Sequence, residues 1–405
     1  MRRKKLVQSL TATAVFSIAT VSAVATPGSK PNGPWVTPNQ TISLEAFESY
    51  EQLTDKLMQI EKSSKGLVEI EAAGTTGEGR SVWLAKIGDP TNKPVLIFTK
   101  QHGDEPHGTE SALELIKYLG AGSAQARKIL DELYVLIIPR VNPDGATFPT
   151  RGNVDFSAEP RDTGQCPAAG GSDLDGKGIF STRFRDTDDY SYDINRYHWG
   201  DWTESWQYLC NIDGGGNPVY PVNPVPEAVA VINTYDNYGP IWAVDVHNQG
   251  FNVVDPDQCA ADDACRPGQY VTGSILWPTN PDVSTDAVDL SKQMALVMKK
   301  RSLEIGNVEL TRYNGGSFAG IARNAYGLRG GGSVLFEVAG QIEGSPSINN
   351  GQKAIGKLKS GIKKILLSLL EATADETLDD EIPSEASTLI LDNDVFLRNP
   401  RTVEE

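Results

Sequence analysis

Two apolar runs, "PVLIFTK" at Pro94 to Lys100 and "LYVLIIPRV" at Leu133 to Val141, limit what this chain can fold into. Both are β-branched, of strand length, and apolar at successive positions rather than alternate ones. Such strands are covered on both faces. Between them, Ser111 to Leu119 has the spacing of a helix. Two buried strands joined through a helix run parallel, which makes them a unit of an α/β sheet. Ile241 to Val246 and Ser333 to Val338 are further buried strands. Val68 to Ala72 and Ser81 to Ile87 read as shorter strands around the turn Gly74 to Gly77. Helices are expected over Ile42 to Ser63, Pro226 to Tyr235 and Asp286 to Ile305, and along the apolar stripe from Ile355 to Leu369. A length of 405 residues fits one large α/β domain or two smaller ones.

The remaining segments do not follow this pattern. Arg2, Arg3, Lys4 and Lys5 precede the apolar stretch Leu6 to Val21 and the small-residue site Ala23-Val24-Ala25. This is the layout of a cleaved signal peptide, so residues 1–25 are assigned to export and 26–40 to a lead. No later stretch is apolar enough to span a bilayer, so no membrane is expected after signal removal. Losing four basic residues and no acids takes the formal charge from −16 to −20. A surface that acidic disfavours nucleic acid and anionic lipid as partners. Residues 146–223 are rich in Gly, Asp, Arg, Tyr and Trp with little periodicity, and read as an ordered, functional insertion. Residues 373–405 are acidic and interrupted by proline, and read as a tail. Within it Leu389 to Leu391 and Val395 to Leu397 are apolar enough to add a strand or dock on the body. Cys166, Cys210, Cys259 and Cys265 are an even set in an exported chain, which points to disulfides, with three pairings open. "GSDLDGKGIF" (Gly171 to Phe180) resembles part of a calcium loop but lacks the closing glutamate.

The chain has four histidines, and two of them fall in "FTKQHGDEPHGTE", Phe98 to Glu110. A catalytic zinc takes three ligands from His and Asp/Glu and keeps one position open. His102 and Glu105, at a strand-to-helix junction, can supply two. His247 closes the strand "IWAVDVH" and can supply the third, because ligands of open α/β sheets gather at the carboxyl ends of strands. Asp104 reads as a turn residue and His107 as a rim or helix-start residue. Glu337, in "SVLFEVAG", is a carboxylate inside an apolar strand, which is costly unless it has a task; a general base with a raised pKa fits there. In "SYDINRYHW", Asn195 and Arg196 form an amide–guanidinium pair suited to a carboxylate. Asp193 can steady a metal-bound imidazole. His198, between Tyr197 and Trp199, reads as structural or substrate-adjacent.

"HGDE", "NPDG" at Asn142 to Gly145, "DINR", "DVH" and "LFEVAG" follow one another in the order of the zinc metallocarboxypeptidases of the carboxypeptidase A type (peptidase family M14), which this chain resembles over about residues 40–370. The resemblance implies one α/β/α domain around a mixed, largely eight-stranded sheet with helices on both faces, spanning residues 41–372. It implies one zinc held by His102, Glu105 and His247, with Glu337 as general base. It also implies Asn195 and Arg196 on the substrate's terminal carboxylate, and Asp193 behind His102. The family's carbonyl-polarising arginine has three candidates, Arg151, Arg183 and Arg185, of which Arg185 fits the expected separation best. Its mobile tyrosine is Tyr313 or Tyr326, with Tyr313 preferred. Arg323, where the family lines the pocket for the terminal side chain, is a candidate selector of acidic residues. The expected protein is a secreted or periplasmic, monomeric carboxypeptidase acting on peptide C-termini. Three alternatives remain at this point. One is an amidohydrolase of the same fold acting on cell-wall peptides or acyl-amino acids. The others are a non-catalytic peptide-binding protein, less favoured because all four key positions are filled, and a calcium-binding or structural secreted protein.

Overall fold

The computed structural model describes residues 42–43, 47–155, 157, 180–183, 188–249, 252–254, 270–271, 273–305, 310–313, 315–339, 347–348, 352–390 and 397–398. Eight strands form one sheet. They are β1 (Val68–Thr75), β2 (Ser81–Ile87), β3 (Lys93–Thr99), β4 (Leu133–Ile138), β5 (Trp242–Gln249), β6 (Gly273–Leu276), β7 (Leu310–Thr311) and β8 (Gly332–Ala339). Their order across the sheet is β7-β6-β8-β5-β3-β4-β2-β1. The centre, β8-β5-β3-β4, is parallel. The β2–β1 hairpin joins it antiparallel on one side and β6 on the other. The mixed eight-stranded sheet expected from the motifs is therefore the observed one.

Among the described residues, seven helices of two turns or so and longer cover the faces: α1 (Tyr50–Ser63), α2 (His107–Gly120), α3 (Ala124–Leu130), α4 (Pro226–Tyr238), α5 (Thr285–Ile305), α6 (Ala322–Leu328) and α7 (Gln352–Ala374). Because β3, β4, β5 and β8 are buried along their length, their side chains feed two cores. On one face Val95, Ile97, Val135, Val244, Val334 and Phe336 meet α2, α5 and α7. On the other Leu96, Phe98, Leu136 and Ala243 meet α4, Tyr326 of α6 and the aromatic residues of the insertion. Among the described residues no helix is long and apolar enough to cross a membrane.

Several boundaries differ from expectation, three of them with consequences for the packing. Residues 42–43 form a short strand paired with Ser347–Ile348, and the helix begins at Tyr50 behind a Ser49 capping box. The fifth strand does not stop at Val246. Asn248 and Gln249 continue it because Val338 and Ala339 supply a parallel partner. The acidic segment after residue 373 is docked through residue 390. Leu378, Ala386 and Ile390 are buried in the core beside α5, so three spaced apolar side chains outweigh the surrounding acids. Farther on, Leu397–Arg398 pairs antiparallel with Val253–Val254. Cys166, Cys259, Cys265, Arg185 and residues 171–179 of the candidate calcium loop lie outside the described residues.

Candidate metal centre

The carboxyl ends of β3, β5 and β8 meet at the middle of the sheet, and their register fixes one half of the site. Glu337 of β8 lies directly opposite His247 of β5. Asp245 is two residues before His247, on the same face of the strand, and its Oδ2 accepts from His247 Nε2 at 2.8 Å. The other half sits on the loop after β3. Lys100 takes a left-handed φ of 56°, which turns the chain across the sheet edge before α2 begins. That turn places His102 and Glu105 over β5.

His102, Glu105 and His247 come together as a buried group whose ligand atoms all lie within 4.8 Å of one another. Glu105 Oε1 is 2.7 Å from His102 Nδ1 and Glu105 Oε2 is 2.8 Å from His247 Nδ1. The two Nδ1 atoms are 3.1 Å apart. Both outer ring nitrogens are committed elsewhere, His247 to Asp245 and His102 Nε2 to Asp193 Oδ1 at 3.2 Å. With Nε2 donating to a carboxylate, each imidazole can turn an Nδ1 lone pair inward, the tautomer a metal requires. Charge agrees with geometry. Burial disfavours ionisation of Glu105 and His247, yet His102 and His247 hold the Glu105 carboxyl below its ordinary range, and Asp245 with Glu105 holds the His247 imidazole well above its own, so positive charge is favoured at Nδ1, where a metal cation would take the place of a proton. The centre of the group thus selects a cation. These residues fit zinc in donor type and number.

The loop half needs pegs that strands do not. Asn142 of "NPDG" accepts from Gly145 N–H at 2.7 Å and donates to the carbonyls of Gln101 and Gly152 at 3.1 and 2.9 Å. A Cβ on Gly103 would meet the backbone of Gly145 at 2.0 Å, so the glycines of "HGDE" and "NPDG" are packed backbone to backbone. Asn248 N–H donates to Glu105 Oε2 at 3.0 Å, and its side chain holds His107 Nδ1 at 2.8 Å. His107 begins α2 as expected, but it is buried beneath Phe47 rather than on a rim.

Around this group the structure places most of the remaining sequence candidates. Glu337 Oε1 accepts from Tyr313 Oη at 2.8 Å, and its Oε2 is buried with no partner among the described residues. Burial, with Glu105 adding to it, pushes the Glu337 carboxyl up despite the pull of His247. Because β8 is an interior strand, this glutamate is not a solvent-facing edge residue. Asn195 is buried, its Oδ1 accepting from Ala322 N–H at 2.9 Å and its Nδ2 lying 3.2 Å from His247 Nε2. Arg196 is half-buried next to it. Of the three candidate arginines, Arg151 is at the site: its Nε donates to Asp193 Oδ2 at 3.0 Å. Against the effect of burial, Arg151 and Arg196 hold the Asp193 carboxyl well below its ordinary range. Arg183 is instead exposed and bonded to the exposed Asp188. Arg323 is buried and donates to the carbonyls of Trp277 and Gly316 and to the Thr279 hydroxyl. Tyr326 faces His198 rather than Glu337. The sequence reading missed Asp245 and Gln101. The even spacing of Asp245 and His247 in a strand was the available signal.

The arrangement defines an open α/β sheet with a metal-binding group at its carboxyl edge. Comparison with known proteins makes this specific. The sequence profile described as zinc carboxypeptidase, family Peptidase_M14, matches residues 53–320, more than half of the chain. The chain belongs to that family. Glu337 lies beyond the matched stretch, so its placement here rests on the strand register. A zinc carboxypeptidase of Saccharothrix mutabilis subsp. capreolus is 28% identical over 110 residues, 25% of each protein. The match thus spans a quarter of that relative's length. The fold is shared with carboxypeptidase A of Helicoverpa armigera (TM-score 0.51, 16% identity, 83% of this chain and 76% of that one). It is also shared with bovine thrombin-activatable fibrinolysis inhibitor (TM-score 0.52, 12% identity, 82% and 99%).

Proposed function

We propose that this protein is an exported zinc carboxypeptidase that removes the C-terminal residue of peptides. The observation that carries the reading is the pair of inward Nδ1 atoms bridged by Glu105, with Glu337 in register beside His247. Zinc held by His102, Glu105 and His247 would supply Lewis acidity towards the scissile carbonyl and acidify water. Glu337, kept basic by burial, takes the proton of the attacking water and returns it to the leaving amine. Arg151 presents a positive edge to the developing oxyanion; it takes this role here because it lies against Asp193, while Arg185 is outside the described residues. Asn195 and Arg196 grip the terminal carboxylate, and Tyr313 hands its hydroxyl from Glu337 to the substrate on binding. Arg323 joins the loops of Trp277 and Gly316, and its charge in a buried site suits an acidic terminal side chain. Export is supported by the signal-peptide layout of residues 1–25 and by the even set of cysteines.

A peptide and its C-terminal amide test the exopeptidase reading. Release of the terminal residue from the free acid, with the amide resistant, is expected. Equal cleavage of both, or hydrolysis confined to acyl-amino acids or cell-wall peptides, overturns it in favour of the amidohydrolase alternative. Replacing Arg323 by Ala is expected to remove any preference for terminal Glu or Asp; an unchanged preference assigns Arg323 to loop joining alone.

A further inference from the structure

His198 and Tyr326 are outside the ligand group, yet both are fully buried and linked to it by a chain of close polar contacts. Tyr326 Oη lies 2.8 Å from His198 Nδ1, and His198 Nε2 lies 2.5 Å from Gln101 Oε1. Gln101 Nε2 lies 2.7 Å from Asp245 Oδ2, which also accepts from His247 Nε2. With a neutral His198 ring, only one assignment of protons satisfies every link. Asp245 is an acceptor, so Gln101 must turn its amide nitrogen towards it and its oxygen towards His198. That oxygen needs a donor, so the His198 proton is on Nε2, and Nδ1 accepts from Tyr326. Tyr326 is itself clamped, stacked on Tyr235 at 4.5 Å and edge-on to Phe98 at 5.7 Å.

We infer that His198, anchored by Tyr326, is a positioning residue for the metal: through Gln101 it fixes the Asp245 carboxylate, and with it the tautomer and tilt of His247. The inference rests on the zinc reading above. It needs a neutral imidazole. Burial, with Arg329 nearby, pushes His198 down to about 3, so the Nε2–H form persists throughout the neutral range. A side chain that only filled space would need the shape of an imidazole but no donor at Nε2.

Two measurements test it. With four histidines in the chain, long-range ¹H–¹⁵N spectra of the wild-type protein can report the state of each ring. A neutral His198 with its proton on Nε2 at pH 6 is expected; a charged ring or an Nδ1–H tautomer overturns the inference. Zinc affinity is then compared by chelator competition for wild type, His198→Gln and His198→Leu. Glutamine can keep a donor near the Nε2 position and is expected to stay within roughly threefold of wild type, whereas leucine loses about tenfold or more. Wild-type affinity in His198→Leu overturns the inference. If that variant does not fold, Gln101→Glu, which turns an acceptor towards Asp245 or His198, is read the same way. A wild type that binds no zinc sinks the zinc reading and this inference together. Zinc binding undisturbed by either variant sinks this inference alone.

Discussion

His247 sits within a strand and His102 on the loop after one, and the two imidazoles are held by different means. On the strand side, Glu337, His247 and Asp245 are set by sheet register and by the two-residue period of a strand. Any sequence that forms β5 and β8 in this pairing puts them there. On the loop side nothing repeats. His102 depends on the Gly103–Gly145 contact, on Asn142, and on an Asp193 that comes from 91 residues away and is itself tied to Arg151. The carboxylates behind the rings differ in the same way. Asp245 meets neutral, buried Gln101, whereas Asp193 meets the cationic residues proposed to bind substrate. On the proposed reading the strand side is therefore the metal support, and the loop side joins metal holding to substrate holding.

Glu105 bridges the two sides, so its loss should have the largest effect: Glu105→Ala is expected to bring zinc content, measured on the purified protein, to near zero. The carboxylates behind the rings should separate the halves. Asp245→Asn lets an amide nitrogen turn towards His247 Nε2 and move the ring proton to Nδ1, and should weaken zinc binding by about 10- to 100-fold with KM unchanged. Asp193→Asn should cost a similar factor in zinc affinity and also raise KM, because Arg151 and Arg196 lose their counter-charge. Matching KM values in the two variants would erase the distinction. Asn142→Ala removes three buried hydrogen bonds of the loop side. It should cost about 1–3 kcal/mol in denaturant unfolding.

The smallest effect is expected away from both halves, at Glu227 in the first turn of α4. Burial pushes its carboxyl up to about 7. The folded state then holds this proton more tightly than the unfolded chain does. Its contribution is intact below the unfolded value near 4.5 and is lost as pH rises through about 7. Glu227→Gln should flatten that part of the stability–pH curve and raise Tm at pH 8 by a few degrees. An unchanged curve would place Glu227 outside the titrating set.

What the sequence makes legible follows the same division. The buried strands are readable from unbroken apolar runs, His102, Glu105 and His247 from their places at or just past the ends of those runs, and Glu337 as a carboxylate within one. Asp245 was hidden by the apolar residues around it, although its spacing from His247 puts both on one face. The loop side could be read only as motifs: "NPDG" is recognisable, but its contact with Gly103 is a tertiary fact with no periodicity to announce it. Arg151 and Arg185 could not be separated because spacing across a loop-rich insertion carries no geometry. Acidic composition masked the apolar spacing of Leu378, Ala386 and Ile390, which dock the segment after residue 373.

The central claim is that Glu337 moves the proton at a zinc held by the other three residues. Zinc content and peptide hydrolysis of Glu337→Gln, measured on one preparation beside wild type, test it most directly. The expected result is one zinc per chain in both proteins and a loss of kcat/KM of roughly 10²- to 10⁴-fold in the variant. A variant that holds zinc and cleaves peptides at the wild-type rate would contradict the account.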